Sequence, residues 1–302
     1  MSLLVTGSIG IDSVVSPHGR ADAVLGGSAV YFAFAATYYA PVRLVAVVGD
    51  DFPEDFRRVL ASRDIDLGGL ETRKGSQSFR WTGRYEGDMS EAETVEVDLN
   101  VLGEAPPRVP DAFVDSRTVF LANTHPTLQR ELLTRVRSPE LVVCDTMNLW
   151  IVSERDSLLE TLSRVTGVII NDGEAGLLTN CVNMFAAGER ILEFGPRFAI
   201  IKKGEHGSLL VTKDGAVAAL PGYPARVVVD PTGAGDSFAG GIMGYLASIN
   251  RFDTNAIRQA MVRGTVAASF TIEDFSLNRL KTLTRAELDA RVAEYVRMLR
   301  LE

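Results

Sequence analysis

Residues 227–241 read VVVDPTGAGDSFAGG. Three β-branched residues, the composition of a short buried strand, run into Asp230 and Pro231, after which small residues surround Asp236. At Gly233–Ala234–Gly235 a chain without bulky side chains can pass from strand to helix with successive N–H groups pointing one way. Such a nest at a helix N-terminus binds anions through aligned donors and the positive end of the helix dipole. Gly240, Gly241 and Gly244 then let the helix pack closely on a neighbour. Asp236 falls in the first helical turn, where two readings stand. An acid there complements the dipole by about 0.3–1 kcal/mol with no further role. Alternatively, a carboxylate beside an anion nest takes a proton from a hydroxyl while the donors hold phosphoryl oxygens. Glycines on both sides of Ala234 favour the second reading, because a plain helix start does not require them.

The same strand–turn–helix rhythm recurs. Leu3–Ile9, Leu44–Val48, Thr118–Leu121, Leu141–Asp145, Val168–Asn171, Phe198–Lys203 and Val227–Asp230 read as strands, most followed by helix-like stretches. Ser28–Tyr39 reads as a helix. Its apolar run AVYFAFAATYYAPV is shorter than the roughly 20 residues of a membrane span, so burial in the core is expected. Asp51 is expected to cap a helix with Pro53 near its first position, and Thr284 with Glu287 forms the capping box of a last helix. Strands that are apolar throughout and alternate with helices predict an α/β fold, a mostly parallel sheet covered on both faces, with ligands outside the carboxyl ends of the strands. Chemistry is therefore sought at Asp12, 49–51, 145–148, 171–174, 204–207 and 230–236.

One region breaks the alternation. In SFRWTGRYEGD, from Ser78 to Asp88, Phe79, Trp81 and Tyr85 share one face, and TVEVDLNV, from Thr94 to Val101, repeats the period of two. The chain is read as a single domain over 1–302 with lid strands near 12–25 and 76–101. The competing reading is a hairpin packed on the core with no part in the site. An aromatic lid face is expected to be covered by substrate closure or by a second subunit, a homodimer through the lid.

Composition narrows the function. The 302-residue chain carries a net charge of −8, with 46% hydrophobic and 23% charged residues, ordinary for a globular protein. The acidic balance argues against nucleic acid or an anionic membrane as partner. Two cysteines, Cys144 and Cys181, point to free thiols in a reducing compartment, and the first residues lack a basic stretch and a long apolar run, so a cytoplasmic location is expected. The three scattered histidines offer no zinc spacing. No Walker-type phosphate loop occurs. Gly235–Asp236–Ser237 matches the GDS of some serine esterases, but no histidine follows it to act as base.

VVDPTGAGDSFAGG resembles the C-terminal signature of the PfkB/ribokinase family of carbohydrate kinases, and the likeness extends over nearly all of the chain. Gly26–Gly27, the apolar helix after them and VRLVAVVGDDF resemble the family's N-terminal signature. Asn171–Asp172–Gly173–Glu174 fits its N-x-x-E motif, and Lys203–Gly204–Glu205–His206–Gly207 resembles the segment that passes the nucleotide.

The resemblance implies a ribokinase-like fold and an ATP-dependent kinase acting on a small sugar-like polyol, with a nucleoside or inositol as the alternative acceptor. A non-catalytic nucleotide or sugar sensor is the third reading. Asp236 is the implied base, with the N–H groups of Gly233, Ala234 and Gly235 as anion hole. Asn171 and Glu174 are implied to hold Mg2+, largely through water. Asp12, Gly26 and Gly27 are implied acceptor contacts. Tyr31 departs from the pattern, standing where most members place an asparagine that bonds a sugar hydroxyl. Lys203, Gly204, Gly207, Asn148 and Thr232 are assigned to the nucleotide; for Lys202 and Lys203 two readings stand, approach to the nucleotide phosphates or solvated lysines after a strand. A monovalent cation such as K+ is left open.

Overall fold

The structure is a computed structural model and describes residues 2–87, 89 and 92–300. In chain order the elements are β1 (Leu3–Thr6), β2 (Gly10–Ser16), β3 (Gly19–Gly26), α1 (Ser28–Ala36), β4 (Val42–Gly49), α2 (Glu54–Ala61), β5 (Ile65–Arg73), β6 (Phe79–Tyr85), β7 (Ala92–Asp98), β8 (Thr118–Leu121), α3 (Pro126–Arg135), β9 (Leu141–Cys144), α4 (Asn148–Ser153) and α5 (Arg155–Leu162). They continue with β10 (Gly167–Asn171), α6 (Asp172–Thr179), α7 (Met184–Glu193), β11 (Phe198–Lys202), β12 (Ser208–Thr212), β13 (Val217–Leu220), α8 (Ala234–Ile249), α9 (Thr254–Thr271), α10 (Asn278–Thr282) and α11 (Arg285–Met298).

Nine strands make one sheet, in the order β13-β12-β11-β10-β9-β8-β1-β4-β5. From β11 to β5 the neighbours run parallel, and β12 is antiparallel to both β11 and β13. The period of two sorts each strand between two cores. Phe120, Val143, Ile169 and Ile200 face a layer that includes Phe32 of α1, Met243 of α8 and Val266 of α9. Val119, Val142, Val168 and Ile201 face Leu132, Leu158, Leu178 and Ile191 on α3, α5, α6 and α7. Phe32 stacks on Phe120 with centroids 4.3 Å apart, a pairing that adds about 0.5–1.5 kcal/mol to plain burial. Every residue of α1 is buried, as its composition requires. Among the described residues no helix is long and apolar enough to cross a membrane.

The second sheet has four strands, in the order β3-β2-β6-β7, with β2 parallel to β6 and the outer pairs antiparallel. It joins the segment after Asp12 to the 79–98 hairpin, as the period of two predicted. Asp88 of the expected hairpin lies outside the described residues.

Several expectations need correction. Val227–Asp230 is not a strand: Val227 is half exposed, and Val229 N–H donates to Ile272 O at 2.7 Å, at the end of α9, with no ladder partner. β-Branched composition does not suffice where no neighbouring strand offers a ladder. Leu3–Ile9 is strand only to Thr6, and Ser8 O turns to accept from Ala29 N–H at 3.1 Å. Ser28–Tyr39 is helical only to Ala36. Asp51 caps no helix. Pro53 stands at the N-cap of α2, while Asp51 accepts from Ser78 N–H and from Arg80, both at 2.7 Å, tying the loop after β4 to the lid. The 65–73 strand went unrecognised because Gly68, Gly69 and three charges dilute its apolar pattern.

Candidate active site

The turn that opens α8 is built by Asp230. Its Oδ1 accepts from Thr232 N–H at 2.9 Å and its Oδ2 from Ser276 N–H at 3.2 Å, so one buried carboxylate anchors the bend to the loop after α9. Gly233 sits at the N-cap with φ 76°, the left-handed region, and a Cβ built on it would lie 2.2 Å from the Tyr31 ring. Both conditions demand glycine. Ala234 N–H donates to Pro231 O at 3.1 Å and Ser237 N–H to Gly233 O at 2.8 Å. Of the expected anion hole, Ala234 is therefore engaged within the turn. The amides of Gly233, Gly235 and Asp236 have no acceptor among the described residues.

Strand parity decides which side chains join this turn. Leu141 and Val143, Ile169, and Phe198 and Ile200 all face the α8 side, so the next residues of the same parity at the strand ends are Asp145, Asn171 and Lys202. Lys202 Nζ lies 3.2 Å from Asp145 Oδ2, and a Cβ on Gly235 would lie 3.0 Å from that nitrogen. The lysine brought to the turn is thus Lys202. Lys203 is the first residue beyond β11, and its N–H closes the 204–207 turn on Gly207 O at 2.7 Å. Asn171 and Glu174 form a capping box: Asn171 Oδ1 accepts from Glu174 N–H and Glu174 Oε2 from Asn171 N–H, each at 2.7 Å. Asn148 is exposed at the start of α4.

The charges interact. Burial pushes the Asp236 carboxyl well above its ordinary value, and Asp145 adds to the effect while Lys202 opposes it. Burial likewise carries Glu174 to about 7 against the pull of Lys202. Burial disfavours the Lys202 ammonium, but Asp145, Glu174 and Asp236 outweigh it and raise its pKa, so the lysine stays charged.

Across the turn stands the second half of the site. Asp12 of β2 is 3% exposed, and Gly26 leaves room for it, since a Cβ there would fall 1.8 Å from Oδ2. Gly27 follows as the N-cap of α1. Asp12 Oδ1 has no hydrogen-bond partner among the described residues, and burial raises its pKa to about 7 even though Gly27 N–H favours the charged form. Tyr31 is buried with its ring beneath Gly233, and its hydroxyl, beside Ser276, makes no well-formed hydrogen bond. In the lid, Asp12 is in register with Trp81, Gly10 with Phe79, and Trp81 with Val97. The Trp81 indole lies along Gly83 and donates Nε1–H to Thr94 at 3.2 Å. Tyr85, on the same face, receives the Thr232 hydroxyl at 3.2 Å, so the lid touches the turn itself. Sequence reading missed this link and the anchoring by Asp230 and Ser276, both of which join residues far apart in the chain.

The pattern of the pfkB carbohydrate kinase family matches residues 127–282. A cytidine kinase of Thermococcus kodakarensis is 31% identical over 252 residues, which cover 81% of this chain and 88% of that protein. The chain belongs to the PfkB family of carbohydrate kinases. Among solved structures, the Methanocaldococcus jannaschii nucleoside kinase, a member of the ribokinase family, superposes with a TM-score of 0.77 at 20% identity, covering 97% of this chain and 98% of its own. A ribokinase II from Escherichia coli, solved with ATP and Mg2+, superposes with a TM-score of 0.79 at 17% identity, covering 97% and 99%. The PfkB kinase fold is thus a large, mostly parallel sheet with a small lid sheet, as its sequence implied.

Proposed function

We propose that this PfkB kinase transfers the γ-phosphoryl group of ATP to a hydroxyl of a nucleoside. The observation that carries the acceptor class is the lid face beside Asp12. A buried carboxylate with an unpartnered oxygen calls for hydroxyl donors, while Phe79, Trp81 and the 49%-exposed Val97 extend the same face as an apolar surface. A molecule with hydroxyls at one end and a flat ring at the other matches both. A sugar or inositol, hydroxylated all round, would leave polar groups unpaired against that surface. The cytidine kinase relative supports the same choice over the sugar suggested by the family signature.

Asp236 is assigned as the base that takes the acceptor's proton, and its burial raises its affinity for protons. The free amides at the start of α8 hold the charge that builds on the phosphoryl oxygens. Gly204, Gly207 and Asn148, at the same end of the sheet, are assigned to the nucleotide. Asn171 and Glu174 fit a hydrated Mg2+. Their capping bonds engage Asn171 Oδ1 and Glu174 Oε2, and the described residues hold no group of three or more His, Cys, Asp or Glu that would cage a bare ion. Mg2+ bound there supplies charge neutralisation for the phosphate oxygens.

A screen of ATP consumption with cytidine, other nucleosides, ribose, fructose and inositol tests the reading. Nucleosides are expected to exceed the sugars in kcat/KM by at least ~10-fold. Turnover of sugars alone would overturn it.

A further inference from the structure

Lys202 Nζ is held 3.2 Å from Asp145 Oδ2 beside the start of α8. Its side chain is 16% exposed and that of Asp145 6%, so the pair is largely removed from water. An ion pair serving stability alone is poorly placed here, because the ammonium stands over Gly235 in the first turn of α8, the positive end of a 16-residue helix. Asp145, Glu174 and Asp236 hold the cation beside the helix N-terminus, and the ammonium and the helix end together favour an anion placed between them. Parity of β11 puts the lysine there, and its unbranched stem allows the charge to shift by a rotamer change.

We propose that Lys202 is a catalytic residue of the phosphoryl transfer, its ammonium passing from Asp145 to an oxygen of the migrating phosphoryl group as that group crosses the start of α8. The role rests on the kinase reading above. In the step the acceptor's O–H proton passes to Asp236 and the acceptor oxygen bonds to the γ-phosphorus. The bond from that phosphorus to the β,γ-bridging oxygen breaks, and ADP leaves with the electron pair. Lys202 keeps its proton throughout and contributes charge alone. Asp145 is a positioning residue that holds the ammonium between turnovers.

The test uses the full chain, its best acceptor from the screen, and ADP with Mg2+ and fluoroaluminate as a probe of the phosphoryl group in transit. Lys202→Met is expected to lower kcat by roughly 10²–10³-fold and to weaken fluoroaluminate binding by at least ~10-fold, with affinity for ADP alone within about threefold. Asp145→Asn frees the ammonium and is expected to retain fluoroaluminate binding. Wild-type kcat and fluoroaluminate affinity in Lys202→Met would overturn the proposal. So would equal loss of that affinity in Lys202→Met and Asp145→Asn, which assigns the pair to structure; should Lys202→Met fail to fold, loss of fluoroaluminate affinity in Asp145→Asn alone overturns the proposal. A wild-type chain inactive on every acceptor would instead refute the kinase reading itself.

Discussion

Asp12 is buried where its negative charge is poorly compensated, and replacing it by asparagine should reveal the cost as a function of pH. Its carboxyl is raised from 3.8 to about 7, chiefly by burial. Below the unfolded value both states carry the proton and the group is neutral toward folding. Between 3.8 and about 7 the unfolded chain ionises while the folded one resists, so this contribution to stability falls as pH rises. Above about 7 the loss is complete; a shift of roughly three units at 1.36 kcal/mol each bounds it near ~4 kcal/mol. Asp12→Asn removes the titration, although its amide leaves one unpaired donor worth about 1–3 kcal/mol. The absolute difference is therefore mixed, but its pH dependence is not. Urea unfolding of the ligand-free proteins should show the variant gaining on wild type by up to ~4 kcal/mol between about pH 4 and pH 8, then levelling off. A difference independent of pH would refute the burial argument. In the same variant the acceptor KM should rise by at least ~10-fold, because the unpartnered carboxylate oxygen proposed to receive an acceptor hydroxyl is lost.

Two further outcomes are expected at the turn. Asp236→Asn should lower kcat by about 10²–10⁴-fold with nucleotide affinity unchanged by calorimetry, and unchanged turnover would remove Asp236 from the chemistry. Gly233→Ala combines a left-handed backbone costing about 1–2 kcal/mol with a methyl group forced onto the Tyr31 ring; urea unfolding should show at least ~2 kcal/mol of destabilisation, and wild-type stability would contradict the packing described.

Legibility in the sequence followed the range of the interactions. Thr118–Leu121 was placed residue by residue because four consecutive apolar residues between turn signals admit little else. The Thr284–Glu287 box was readable because its partners are three residues apart, whereas Asn171 and Glu174, at the same spacing, were read as Mg2+ contacts and in the structure cap α6. Val227–Val229 misled for the opposite reason: its β-branched residues are the same in a strand and in an extended tether, and only the absent neighbour tells them apart. Lys202 and Lys203 are chemically identical in sequence, and the parity of β11 against α8 separates them. Tyr31 stood out as a departure from the family pattern, yet its place under Gly233 depends on two helices separated by about two thirds of the chain. The anchor of Asp230 to Ser276, across 46 positions, had no local signal.

The contact between Tyr85 and Thr232 couples the small sheet to the turn that opens α8. Were the small sheet to swing outward, the phenol would leave Thr232 and the start of α8 would lose that brace; on the kinase reading proposed above, the phosphate cradle would then be firm only while the sheet is shut.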